Sequence, residues 1–285
     1  MTRILYMSDL HIELERWRLS IPGWQDFLAR HRAARKHPLR GPLLMGFENI
    51  DLVVLAGDIH TGLRGAVYAE QLADFFEAPV VYVAGNHEYY HQHIDVLAPA
   101  LRATAAHSGG RVQFLDNDAT SFTFGGQRVH VLGCTLWTDF RLHDDQKGAM
   151  EFAARHMNDY RAIRRVTSFF RPDNALTRHE RSRLWLRASV ARLRLEEPDA
   201  KIIAVTHHGP HEATLGHRIG RIAPSYASHL LPEFKVSPPD VWIHGHTHYR
   251  HDSMLDGIRV VSAPRGYVSR DLEAALAFQP GVLEL

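Results

Sequence analysis

Short apolar runs recur along the chain, each closed by glycine, proline or a polar cluster. RILYM at 3–7, LVVLA at 52–56, VVYVA at 80–84, KIIAVT at 201–206 and DVWI at 240–243 carry almost no side-chain charge. Runs of this kind read as strands buried on both faces, the pattern of a mainly parallel sheet in an α/β protein. The spacing predicts a helix over 68–77, so that strand, helix and strand form a βαβ unit, and another over 98–106. RVQFL, ATSFTFG and QRVHVLGCTLW alternate instead, and the turn at Gly125 and Gly126 predicts antiparallel pairing at the edge of the first sheet or opposite it. A helix from Thr177, with Glu180 completing a capping box, is expected to run to just before Pro198. Leu184, Leu186, Ala188, Ala191 and Leu195 would supply much of its packing surface. Near the C-terminus, MLDGIRVVSA and EAALAFQ predict strands. No internal repeat, low-complexity linker or boundary interrupts the pattern, so 1–285 is expected to be one domain. Within it, 138–174 loses strand character, with a helix over 150–164, and is expected to form a cap or rim insertion over a cleft.

Each buried run ends in polar residues of specific chemistry. Asp9 and His11 come after the first, Asp58 after the second, Asn86 and His87 after the third, His207 after the fourth, and His244, His246 and His248 after the fifth. In open α/β sheets ligands gather outside the carboxyl ends of strands, which places these residues at one end. In an extended segment alternate residues share a face, so Asp9 with His11, and His246 with His248, are expected to point together. Each alone reads as a turn or cap residue; all five groups directly behind apolar strands read as a metal site. Oxygen and imidazole donors without a thiolate disfavour a structural zinc knot or an iron–sulfur centre, and their number exceeds one tetrahedral ion. Two ions about 3.5 to 4 Å apart would share Asp58 and lower the pKa of a water held between them, which suits in-line attack on phosphorus. His87 could stabilise developing charge or protonate the leaving oxygen.

Composition changes this picture little. The 285 residues carry a formal charge of +1, which gives no global bias toward nucleic acid or membrane. The single cysteine, Cys134, excludes an internal disulfide, and its apolar surroundings suggest a buried small hydrophobe. No leader-like N-terminus and no membrane-length apolar run is present, so a soluble cytoplasmic protein without membrane insertion is expected. The 21 histidines are the unusual count. Residues 14–45 are basic with interspersed aromatics and read as a solvated helix in preference to a nucleic-acid surface.

DLH at Asp9 to His11, GD at Gly57 and Asp58, GNHE from Gly85, THHGP from Thr206 and GHTH from Gly245 to His248 together resemble the ordered signature of the calcineurin-like metallophosphoesterases. The resemblance spans nearly the whole chain. It implies a four-layer α/β/β/α sandwich of two mixed β-sheets flanked by helices, and a binuclear centre of Mn, Fe or Zn. One ion would take Asp9, His11, bridging Asp58 and His248; the other Asp58, Asn86, His207 and His246. His87 would be the outer-sphere catalytic histidine beside Asp58. His208 is an alternative to His207, which directly follows the strand. The expected activity is hydrolysis of a phosphate ester, a phosphodiester first, with a phosphomonoesterase or protein phosphatase as alternatives on the same centre. A non-catalytic regulatory or scaffold module would be expected to have lost ligands, and none is missing. A small phosphorylated molecule is the expected substrate, nucleic acid is less favoured, and oligomeric state is left open. Selectivity is expected in 138–174, 211–229 and 265–267, with His60, Asp139, His208 and Arg265 as candidate substrate contacts; Arg265 could clamp a phosphate or brace the C-terminal loop.

Overall fold

Alternation along each strand decides the layering. In the computed structural model, which describes residues 1–17, 47–267, 269, 270 and 272–285, β1 (Arg3–Met7), β2 (Leu52–Ala56), β3 (Val80–Val83) and β4 (Val112–Leu115) run parallel in one sheet. The second sheet holds β5 (Asp118–Phe124), β6 (Gln127–Cys134), β7 (Lys201–Thr206), β8 (Val241–Ile243), β9 (His251–Leu255) and β10 (Ile258–Ser262). β11 (Gly281–Glu284) returns antiparallel to β1, so the orders are β11-β1-β2-β3-β4 and β5-β6-β7-β8-β10-β9, both mixed. Ile4, Tyr6, Leu52, Val54 and Ala56 face Val129, Val131, Ile203, Val205 and Ile243 between the sheets. The other face of the first sheet, with Leu5, Met7, Val53 and Leu55, packs under α1 (Arg64–Phe76) and α2 (Ile94–Ala106). The other face of the second, with Leu132, Ile202, Ala204 and Trp242, packs under the helix at Pro172–Glu196. The molecule is therefore a four-layer α/β/β/α sandwich.

Residues 138–174 contain α3 (Gln146–His156) and the short α4 (Asp159–Ala162), in place of the one expected helix over 150–164. The long helix, α5, begins at Pro172 and not at Thr177. A proline at the first helical position and Asn174, whose side chain accepts from the Arg171 N–H, start it five residues early. Thr177 lies inside, its hydroxyl donating to the Asp173 carbonyl. The packing face is also corrected: Leu186, Val190 and Leu193 are buried, whereas Leu184 is 52% and Leu195 85% exposed. EAALAFQ is not a strand; the short α6 (Leu272–Leu276) occupies it, and β11 comes after it. The reading of 14–45 falls almost wholly outside the described residues. Among those described, no helix is long and apolar enough to cross a membrane.

Candidate metal centre

The carboxyl ends of β1, β2 and β3 in one sheet and of β7 and β8 in the other meet at one edge of the sandwich. Their approach depends on glycine. A Cβ on Gly85 would collide with Asp58 Oδ1 and lie 2.6 Å from His207 Cε1, and one on Gly245 would lie 2.7 Å from the Ala56 carbonyl. Across this seam His207 Nδ1 lies 2.9 Å from the Ala56 carbonyl oxygen, so this nitrogen donates and Nε2 is the atom turned toward Asp58 and Asn86. The His246 N–H donates to both oxygens of Asp9 at 3.0 Å.

Three overlapping groups result: Asp9, His11 and His248; His11, Asp58 and His87; Asp58, His207 and His246, with the donor atoms within each group no more than 4.8 Å apart. Asp58 stands between them, Oδ1 3.3 Å from His207 Nε2 and Oδ2 3.8 Å from His11 Nε2. His248 Nε2 is 3.3 Å from Asp9 Oδ1 and 3.1 Å from His11 Nε2. Asn86 Oδ1 lies 3.1 Å from His207 Nε2. Among the described residues, buried His246 Nε2 has no hydrogen-bond partner, as a donor atom kept for a cation would have none. The donor set fits a pair of hard to borderline cations.

The extended-face expectation does not hold. β1 stops at Met7 and β8 at Ile243, and Asp9, His11, Asp58, His246 and His248 all take positive φ, between 48° and 66°. Left-handed backbone is uncommon outside glycine, though Asp and His tolerate it better than most. The side chains converge because the chain turns sharply after each strand, not because alternate residues share a face.

Burial disfavours charge on His11, His87, His207 and His246, and neighbouring charges decide the outcome. Burial and the nearby charge of His87 push His11 down to about 4; burial with His208 and His207 pushes His246 well down. Burial opposes charge on His207 as well, but the Asp58 carboxylate raises it to about 10. Asp58 is held well below the usual carboxylate range despite burial, through His207 and His87.

His87 is engaged at both ring nitrogens, Nδ1 2.9 Å from Glu13 Oε1 and Nε2 2.9 Å from the Tyr267 hydroxyl. Against burial, Asp58 and Glu13 raise it to about 9. Glu13 carries no mark of this role in the sequence beyond lying two positions after His11. Glu88 is wholly buried and accepts from the backbone N–H of Asp58, Ile59 and Gly85 and from the Tyr82 hydroxyl. That carboxylate ties the β2 and β3 loops together, and its position within GNHE is the available signal.

The other candidates sit apart from this cluster or behind it. His208 is buried against the rings of His246 and Trp137 and hydrogen-bonds the Thr135 carbonyl. Arg265 is buried, donates to the Leu10 carbonyl and so braces the β1 loop. His60 Nδ1 is paired with Thr61, and Asp139 accepts from the Arg141 N–H. A cavity of ≈ 100 Å³ opens over Asn86, His246 and His248, walled by Asn158, Arg218 and Tyr267, one from each expected rim segment.

The sequence profile of the calcineurin-like phosphoesterases matches residues 2–250. The chain belongs to that family. It is 23% identical over 291 residues to the uncharacterized protein L509 of Acanthamoeba polyphaga mimivirus, covering 93% of this chain and 91% of that one. Among solved structures it is similar to phosphopantetheinyl hydrolase from Mycobacterium tuberculosis, with a TM-score of 0.66, 16% identity and coverage of 96% and 94%. It is also similar to TT1561 of Thermus thermophilus, with a TM-score of 0.51, 15% identity and coverage of 99% and 98%. At these identities the structural likeness bears on fold alone. Family and fold together make this a phosphoesterase-type hydrolase of the metal-dependent kind, with the architecture of a binuclear site.

Proposed function

We propose that the chain is one metallophosphoesterase domain hydrolysing a phosphodiester, with 138–174 as a rim insertion. In this reading Asp9, His11, Asp58 and His248 hold one ion of Mn, Fe or Zn, and Asp58, Asn86, His207 and His246 hold the other. The observation that carries it is Asp58, whose two oxygens face different imidazoles belonging to different ligand groups. Bound there, the ions would supply Lewis acidity toward phosphoryl oxygens and an activated water. His87 stands outside the two sets: both its nitrogens are engaged by Glu13 and Tyr267, and Nε2 is 4.0 Å from Asp58 Oδ2. As an imidazolium it protonates the leaving oxygen or stabilises the charge that develops there.

The preference for a diester comes from the walls. Tyr226 stacks on His246 at 4.6 Å between ring centroids, and Tyr267 packs edge-on against His248, also at 4.6 Å. Each ion position thus has its own aromatic wall, and a phosphate between the two positions would direct one substituent toward each. Arg218 lies over the Tyr226 ring and Arg270 over the Tyr267 ring, adding positive charge at the mouth.

The test is metal analysis followed by turnover of bis(p-nitrophenyl) phosphate and p-nitrophenyl phosphate with Mn, Co, Ni or Zn. Two ions per chain and faster hydrolysis of the diester are expected. Two ions without turnover of either ester would overturn the hydrolase reading, and a faster monoester would overturn the diester preference. His87→Ala should keep both ions and lose most turnover, whereas Asp58→Asn should disturb both ions; metal loss in the His87 variant would remove it from the outer sphere.

A further inference from the structure

The insertion contributes one buried charge that the chemistry above leaves unused. Asp159, on α4, is 2% exposed. Its Oδ1 accepts from Asn86 Nδ2 at 2.8 Å and from the Tyr90 hydroxyl at 2.7 Å, and Nδ2 of Asn86 lies 3.2 Å from that hydroxyl. Burial pushes the Asp159 carboxyl up, and the hydrogen bonds from Tyr90 and Asn86 oppose that. The amide nitrogen of Asn86 only donates, so Asp159 is the acceptor in this contact whatever its charge. The same contact therefore settles which way the amide points: its oxygen is turned to His207 Nε2, 3.1 Å away, on the side of Asp58 and His246.

The backbone keeps Asp159 there. The His91 N–H donates to Ala162 at 2.8 Å, the Ile94 N–H to Arg164 at 2.9 Å, and the Arg164 N–H back to Gln92 at 2.9 Å. Tyr90 pairs with Ile163 and His93 with Arg164 as isolated bridges. The loop after Asn86 and His87 is thus stitched to the segment after Asp159. The insertion is fixed to the floor of the site along this edge, and a residue 73 positions from Asn86 completes the surroundings of a proposed ligand.

We propose that Asp159 is a positioning residue for the second ion: it locks the Asn86 amide with its oxygen toward the cation and, by drawing on the N–H, strengthens that oxygen as a donor. Groups behind a metal ligand orient it and tune its basicity, and losing one typically weakens affinity by about 10- to 100-fold. The inference rests on the two-ion reading, and calorimetric titration of the metal-free protein with Mn²⁺ separates the two. Wild-type protein that binds fewer than two ions would defeat the two-ion reading itself. With two steps in wild type, Asp159→Ala should weaken one step by about 10- to 100-fold and leave the other within about threefold, whereas Asp159→Asn, which keeps an acceptor, should stay near wild type. Both steps unchanged in Asp159→Ala, or both weakened equally as a merely structural role would give, would overturn the proposal. Should Asp159→Ala fail to fold, Tyr90→Phe decides. It removes a hydroxyl from the same carboxylate at nearly constant volume and should weaken the same single step by a smaller factor; no change in either step, or an equal change in both, would overturn the assignment.

Discussion

His87 and Gly85 show two ways in which single residues determine the chemistry. His87 keeps its proton to about 9 because Asp58 and Glu13 outweigh burial. A general acid works while protonated, so turnover should fall as pH rises through that value, and a cation at Asp58, by offsetting the carboxylate, moves the fall lower. The expected pH–rate profile has an alkaline limb at or below about 9, shifted further down in Glu13→Gln; a limb that does not move would detach His87 from the proton transfer. Gly85 acts by its size. A methyl group there strikes Asp58 and His207 together, so Gly85→Ala should lose metal and cost about 1–3 kcal/mol of stability, measured by metal analysis and thermal unfolding. Unaltered metal content would mean that the two loops can separate without consequence. The clustering of carboxylate and imidazole groups was legible because each group falls in the turn that follows a buried run. The residues behind them were not. Glu13, Glu88 and Asp159 act through contacts made after the turns form, and the left-handed backbone at Asp9 or His248 has no composition signal, since neither is glycine.

At the scale of elements, legibility followed burial. Strands such as β2 and β7 are covered on both faces, so the sequence has to be apolar throughout, and their bounds could be read almost to the residue. Helices covered on one face must be read by phase, and α5 misleads because leucines occur on both sides of a strongly charged stretch. Its true stripe is Leu186, Val190 and Leu193 beneath the second sheet, with Leu195 beyond it in solvent. Leu186→Ala should therefore cost about 2–5 kcal/mol through the lost methylenes and the cavity left behind. Leu195→Ala should stay within about 0.5 kcal/mol. Urea unfolding of the two variants checks the pair, and equal costs would mean that the helix is rotated from the phase described.

At the scale of the whole molecule, the buried histidines in and around the site fall into two sets that act on opposite sides of the ordinary imidazole value of 6.5. His11, His208 and His244 are pushed down to about 4, 3 and 4, each first by burial. They stay neutral in the fold while the unfolded chain takes up protons, so their contribution is present above 6.5 and lost as pH falls toward 4. His87 and His207 go the other way, to about 9 and 10, because the Asp58 carboxylate overcomes burial. Their contribution is complete below 6.5 and disappears as pH rises through 9 to 10. Metal-free protein should consequently be most stable near pH 6.5, with Tm falling on both sides. Cation binding requires His207 without its proton, so metal affinity grows as pH rises. Added Mn²⁺ should accordingly raise Tm most at alkaline pH and flatten that side of the curve. Scanning calorimetry between about pH 4.5 and 9.5, with chelator and then with Mn²⁺, measures both effects. A Tm in chelator that climbs steadily through pH 9 would show that Asp58 does not hold His207 and His87 as imidazolium ions, and would remove the electrostatic basis for placing Asp58 at the centre of the site.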